Sequence, residues 1–256
     1  MSSLTFKPRP RGGRWPVALA WLAVLLLAVA AALMGGAGPA YRLDWLSLGE
    51  SFSLLRRGAL LAVGAAGLGA LAFLVAGFCR RGRPALVGAL VVAAVVAMVA
   101  QPLQLRELAR RVPPIHDITT DLAAPPAFEA LAEARRAAPN ALAYPEAFAE
   151  AQRAGYPNLG PRRFERPLPE VRDAAEALAR ERGWAIAAVG ERRLEAVATT
   201  RWFGFQDDVV IRLTPTADGV EVDMRSASRI GKSDLGTNAA RIQTFLEALA
   251  TRLGEG

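Results

Sequence analysis

Histidine and cysteine occur once each, at His116 and Cys79, and lysine only twice, at Lys7 and Lys232. With a single cysteine the chain can form no internal disulfide, and this neither proves nor excludes an oxidising compartment. With a single histidine, a zinc or copper site would have to be completed by carboxylates, an uncommon ligand set. No resident metal or cofactor is therefore expected. Three long stretches lack every charge: 27 residues between Arg14 and Arg42, 22 between Arg57 and Arg80, and 22 between Arg83 and Arg106.

The net charge of +7 would suggest nucleic acid if it were spread over a soluble domain. Its distribution excludes that reading. Residues 1–105 hold ten Lys/Arg against two Asp/Glu, whereas residues 106–256 hold 21 against 22. A near-neutral C-terminal half releases few counterions from a phosphate backbone, so no nucleic-acid partner is expected. Because 29 of the 31 basic residues are arginine and alanine is abundant, arginine counts reflect composition and mark no site by themselves.

About 20 apolar residues cover a hydrocarbon core of about 30 Å, so each uncharged run can cross a bilayer. Spans are expected at 15–36, 58–79 and 84–105, making residues 1–105 a transmembrane region with the lipid bilayer as partner. The first run follows Lys7, Arg9, Arg11 and Arg14 as a signal peptide would, but it is long for one and two further spans follow, which favours a retained helix. The short Arg80-Arg81-Gly82-Arg83 connection packs three positive charges into a turn expected to stay cytoplasmic. That orientation puts everything after residue 105 outside the cytoplasm, in the periplasm of a Gram-negative cell. Small residues at four-residue spacing, Ala62, Ala66 and Ala70 in span two and Ala85, Ala89, Ala93 and Ala97 in span three, would permit close helix approach. Common alanine explains them equally well. No span contains Asp, Glu, Lys, Arg or His, which weighs against a transporter or channel.

Residues 106–256 read as an α+β domain with a mainly antiparallel sheet of about four strands packed by helices. Prolines at 113–114 and 125–126 bias the intervening chain away from helix. Short helices are expected at Ala127–Ala137 and Tyr144–Ala154, and a longer one at Pro169–Arg182. The period then becomes two, giving strands at Trp184–Val189, Leu194–Arg201, Phe205–Thr214 and Val220–Arg229. Pairing Leu213 with Val220 aligns Ile211 with Val222 and Val209 with Met224 on one apolar face, and sets Arg212 against Glu221 and Asp208 against Arg225 on the other. A closing helix from Asp234 to Leu253 carries Leu235, Ala239, Ile242, Leu246, Leu249 and Leu253 as a stripe that must cover the sheet.

Candidate chemistry is sparse. Arg229-Ile230-Gly231-Lys232-Ser233 has the Gly-Lys-Ser of a phosphate loop between a strand and a helix, but Ser226 stands where the first glycine belongs and Asp234 where phosphate oxygens would lie. A strand-to-helix turn with Ser233 or Asp234 as N-cap is the plainer reading. His116, within Ile115-His116-Asp117-Ile118-Thr119-Thr120-Asp121, has no Gly-x-Ser-x-Gly nucleophile to serve, and a histidine bonded to backbone is its ordinary role. Asp207 faces the apolar side opposite Ser226 and needs a partner there. Arg225, Arg229, Lys232 and Arg241 converge on the helix start at Asp234, where backbone N–H groups and the helix dipole can hold an anion. Alternatively Asp208, Asp223 and Asp234 neutralise these cations in a structural network.

Three segments have a familiar look: Pro113 to Asp121 with Pro125-Pro126-Ala127-Phe128; Phe203-Gly204-Phe205-Gln206-Asp207-Asp208-Val209-Val210-Ile211-Arg212; and Val222 to Gly236 with Asn238 and Arg241. Over about residues 110–250 the chain resembles the family catalogued as domain of unknown function 1499. The resemblance implies a bacterial envelope or membrane-associated protein and carries no established activity or catalytic residue. Two functional expectations follow. One is an extracytoplasmic domain that binds a ligand, a lipid headgroup, an anionic small molecule or an envelope protein without catalysis, through some of His116, Asp117, Asp121, Asp207, Arg225, Arg229, Lys232, Asp234 and Arg241. The other is an envelope hydrolase or transferase using His116 with Asp117, Asp121 or Asp207. They are distinguished by whether His116 and the Arg225–Asp234 segment meet in one cleft.

Overall fold

The computed structural model describes residues 11–255; Lys7, Arg9 and the terminal Gly256 lie outside the described residues. Contacts divide the chain into two units, meeting in sequence at Gln104 and Leu105.

The first unit holds three apolar helices, each long enough to cross a membrane: α1 Trp15–Arg42, α2 Leu48–Phe78 and α3 Gly82–Arg111. α2 starts ten residues before the expected span because Ser47 and Glu50 form a capping box there, and the helix runs on through Arg56 and Arg57. α3 likewise continues past 105 into an exposed turn bearing Arg106, Arg110 and Arg111. Large side chains such as Leu60, Val63 and Phe78 face outward, the distribution expected against lipid. The buried side of α2 is Gly58, Ala62, Ala65, Gly69, Ala72 and Ala76, and that of α3 is Pro84, Gly88, Val91 and Val95. This corrects the expected four-residue rows: Ala70, Ala93 and Ala97 are exposed. A row at spacing four drifts round a helix of 3.6 residues per turn, whereas alternating fours and threes stays on one seam. Where α2 and α3 touch, a Cβ on Gly69 would lie 2.9 Å from the Gly88 carbonyl oxygen, so glycine sets the approach.

The second unit is α+β with an antiparallel sheet of six strands: β1 Asp117–Thr119, β2 Arg162–Phe164, β3 Ala185–Val189, β4 Arg193–Thr199, β5 Gln206–Thr216 and β6 Gly219–Ser228. The order is β1-β6-β5-β4-β3, with β2 also on β6. β1 takes residues 225–227 of β6 and β2 takes residues 220–222 of the same edge. These two strands are the ones the periodicity missed; three residues are too few to show alternation, and both exist only by pairing with a distant strand.

The hairpin register differs from the expected one. Leu213 pairs with Val222, Ile211 with Met224 and Val209 with Ser226, because β5 runs on through Pro215 to Thr216 and only Ala217 and Asp218 turn the chain. The shift is two residues, so every side chain keeps its face. Arg212 then lies opposite Asp223, and Asp208 opposite Ala227, not Arg225.

One face of the sheet packs α6 Leu168–Glu181 and α7 Thr237–Leu253 through Val171, Ala175, Ile242, Phe245, Leu246 and Leu249 onto Val209, Ile211, Val222 and Met224. The other face carries a smaller apolar cluster, Phe128, Leu131, Val210 and Ala227, beneath the loops around α4 Ala132–Arg136. α5 Phe148–Gly155 sends Gln152 to the free edge of β1, where its amide accepts from the Thr119 N–H and donates to the Thr119 carbonyl. A side chain thus completes the sheet edge as a strand would.

α7 begins at Thr237, three residues later than expected. Leu235 and Gly236 adopt left-handed backbone with φ of 55° and 80°, so the helix cannot run back through them. Gly236, not Ser233 or Asp234, takes the N-cap position; Asp234, two residues before it, accepts the N–H groups of Gly236 and Asn238, each at 2.8 Å.

Candidate functional site

Strand alternation sends consecutive residues of β6 to opposite faces, and the candidate residues divide accordingly. On the face away from α7, Arg225 lies in a bidentate pair with the fully buried Asp117, Nε to Oδ1 at 2.9 Å and Nη2 to Oδ2 at 2.7 Å. Its guanidinium carbon stands 4.8 Å from the Phe128 ring centre and 5.9 Å from that of Tyr144. The Leu142 and Pro126 carbonyls accept two more of its N–H groups. Four of the five guanidinium hydrogens are thereby used, leaving one on Nη1.

The loops that bring these groups together are pinned by buried polar side chains. Glu195 accepts the N–H groups of Glu129 and Leu131, which holds Phe128 over the sheet. Arg135, with no exposed surface, donates to Asp208, to the Ala227 carbonyl and to the Ala141 carbonyl, tying α4 to the sheet and to the next loop. Arg229 binds the other side of Asp208 at 2.8 Å and also donates to Gln206. Arg212 joins Asp121 and Asp223, each at 2.8 Å. Although burial opposes it, the Ala124 and Ala123 N–H groups and Arg212 hold the Asp121 carboxyl below the usual carboxylate range. Burial pushes the Asp117 carboxyl upward against the pull of Arg225.

Between the 122–128 and 142–149 segments lies a cleft of about 510 Å³ with Arg225 at its floor. Leu122, Pro125, Phe128, Leu142 and Tyr144 supply apolar walls, and Glu146 stands among the lining residues. The Tyr144 hydroxyl donates to Gln152, and burial pushes its pKa up to about 12, so it stays protonated. The cleft has the size of a small-molecule site, with apolar walls and the polar groups of Arg225, Tyr144 and Glu146 among its lining.

The α7 face holds a separate network. Arg241 pairs with Asp207 at 2.6 Å and donates to Ser226 at 2.8 Å and to Asn238. Asn238 donates to the His116 carbonyl and to Ser228. Asp207 thus faces the apolar side as expected and meets Arg241 there, but lies opposite Ser228 in the sheet, not Ser226. His116 is 9% exposed; its ring meets Phe148 edge-on with centres 5.0 Å apart, and its Nδ1 is buried without a hydrogen-bond partner. Burial holds its pKa below the ordinary value, offset in part by Asp117.

The convergence expected at the helix start is therefore split. Arg225 and Arg229 belong to one face and Arg241 to the other, while Lys232 is exposed without an ion-pair partner among the described residues. Of the neutralising pairs expected, Asp208 with Arg229 forms; Asp223 binds Arg212, and Asp234 spends its oxygens on the backbone of α7. The phosphate-loop geometry does not form either, since the Gly231 carbonyl accepts from Asn140 and Asp234 occupies the helix start. His116 is hydrogen-bonded to none of Asp117, Asp121 and Asp207, each of which is held by an arginine. Neither His116 nor Asp234 lines the cleft. Among the described residues no group of three or more His, Cys, Asp and Glu could hold a metal ion.

Phe128, Tyr144, Arg135 and Gln152 were not singled out from the sequence. An arginine in a five-residue helix carries no sign of burial, and Phe128 and Tyr144, expected within the helices 127–137 and 144–154, lie in loops ahead of α4 and α5, which begin only at Ala132 and Phe148.

No curated protein matches the chain. Among solved structures, the crystal structure of CalU16 from Micromonospora echinospora is similar over 36% of this chain and 77% of that one, at 18% identity and a TM-score of 0.27, a likeness too slight to bear on function. The family model described as "Protein of unknown function (DUF1499)" matches residues 117–249, from β1 through most of α7. The chain belongs to that family, the proteins of unknown function DUF1499, and carries three helices apolar enough for a membrane ahead of the family domain.

Proposed function

We propose that the C-terminal domain binds, without catalysis, a small ligand that pairs an apolar portion with one acceptor oxygen, held in the cleft above Arg225. The observation that carries this reading is an arginine already neutralised by a buried carboxylate, flanked by two aromatic rings, with one N–H left at the floor of an apolar cleft. A neutral Arg225–Asp117 pair favours an ester, amide or hydroxyl oxygen over a full anion, because an incoming charge would lose its hydration for little Coulombic return. The anion site suggested at the α7 corner is less favoured, since Arg225, Arg229 and Arg241 each already hold a carboxylate. Placement at the bacterial inner membrane, with the domain in the periplasm, is part of the proposal and is supported by the arginines of the connection between α2 and α3.

The test is native mass spectrometry of the full chain extracted from its host membrane. Wild type should retain a small amphiphile that Ala143→Trp, an exposed cleft-lining position, loses without unfolding the protein. The same bound mass in both proteins, or none in either, would overturn the reading.

A further inference from the structure

The two ends of the helical unit differ sharply in charge. α1 and α2 run antiparallel, since Gly58 lies against Ala30 and Met34 and Gly64 against Leu26, so the start of α1, the end of α2 and the start of α3 share one end. Asp44 and Glu50, the two acidic residues of the first 105, lie at the other end, about 40 Å away at about 1.5 Å per helical residue. The end where α1 starts carries five arginines on two chain segments: Arg11 and Arg14 ahead of α1, and Arg80, Arg81 and Arg83 where α2 gives way to α3.

The two segments are fastened to each other. Arg81 donates to the Gly13 carbonyl at 2.6 Å, and Gly12, with φ of 79°, packs on Cys79 so closely that a Cβ there would collide with the sulfur. Arg81 keeps its charge, because that acceptor is neutral. Arg11, Arg14, Arg80 and Arg83 are exposed, and among the described residues their side chains make no hydrogen bond or ion pair. Trp15 and Phe78, 74% and 86% exposed, flank the arginines in sequence. Like charges gathered without a counter-ion repel, and at the surface of a bilayer the anions within reach are headgroup phosphates, whose oxygens a guanidinium binds in pairs. Exposed aromatic rings beside the cations suit the same depth. We infer that this end of the helical unit binds the headgroup of an anionic phospholipid, and that a headgroup with two phosphates binds best, one phosphate to each arginine-bearing segment. The site requires only that α1–α3 lie in lipid and is separate from the cleft above Arg225.

Lipid titration of the full chain in a neutral detergent, read by native mass spectrometry, tests this with cardiolipin, phosphatidylglycerol and phosphatidylcholine as probes. Wild type should retain cardiolipin at the lowest concentration and phosphatidylcholine at the highest. One arginine near such a headgroup is worth about fivefold in affinity, so Arg80→Gln with Arg83→Gln should weaken cardiolipin retention about 25-fold. Arg80→Lys with Arg83→Lys should keep most of it, showing that the loss follows charge. Added salt should weaken wild-type retention of cardiolipin, a readout that needs no variant. Ala143→Trp, which fills the cleft, should retain cardiolipin as wild type does. Equal retention of the three lipids, retention indifferent to salt or to Arg80→Gln with Arg83→Gln, or loss in Ala143→Trp overturns the proposal. Binding of inorganic pyrophosphate without retention of cardiolipin also overturns it, since the arginines would then serve a free phosphate and not a lipid.

Discussion

The buried arginines of the domain each hold a carboxylate, and the ordering of loops follows from those pairs. Arg135 and Arg229 share Asp208, Arg225 holds Asp117, and Arg241 holds Asp207. Buried pairs of this kind add little net stability relative to apolar residues, but removing one partner strands a charge, so they enforce one arrangement of the loops above the sheet. His116 is a buried ring whose Nδ1 has no hydrogen-bond partner, as is also true of Arg135 Nε and the Tyr156 hydroxyl. Burial lowers the folded pKa of His116 below the ordinary 6.5. Below about pH 6.5 the unfolded chain therefore takes up a proton that the folded chain resists, so this contribution to stability is present above that pH and lost as pH falls. Thermal melting between about pH 7 and pH 5.5 should show wild type losing more stability than His116→Gln over the same interval. Parallel curves for the two proteins would show that His116 is not the titrating group.

At the scale of elements, termini and turns decided what periodicity left open. The two-residue turn at Ala217-Asp218 moved the β5–β6 register by two while preserving the faces, which is why the apolar pairing survived and the charge pairs changed. At α7, left-handed Leu235 and Gly236 set the first helical residue, and Asp234 reaches past them to two backbone N–H groups. Asp234→Ala should lower unfolding stability by about 1 kcal/mol, in the range of a lost N-terminal cap, and Asp234→Asn should restore most of it. Urea melts of the three proteins measure this; equal loss in both variants would mean that the charge matters, not the cap.

For the whole molecule, three helices able to cross a membrane precede a domain that carries its own apolar core between the sheet and α6 and α7. Three crossings put the two ends of the bundle on opposite sides. A reporter in the Arg80–Arg83 turn is expected to be active only in the cytoplasm, and one fused after Gly256 only in the periplasm. The reverse pair of results would place the cleft on the cytoplasmic side.

Residue order alone was enough to find the three long apolar helices, four of the six strands, the helices α6 and α7 and the faces of the β5–β6 hairpin, because each of these rests on a local period: an unbroken apolar run, alternation by two, or a stripe at 3.6. The candidate site was legible only as a collection of charges. Which charges meet depended on contacts over long sequence separations: Arg225 with Asp117, Arg135 with Asp208, and Glu195 with the backbone at 129–131. β1 and β2 form only because β6 offers them an edge, and the cleft exists only where two loops distant in sequence are held apart above Arg225. The tertiary structure decided these features because a short strand, a buried ion pair and a cavity are each properties of chain segments brought together, and no period in either segment encodes its partner.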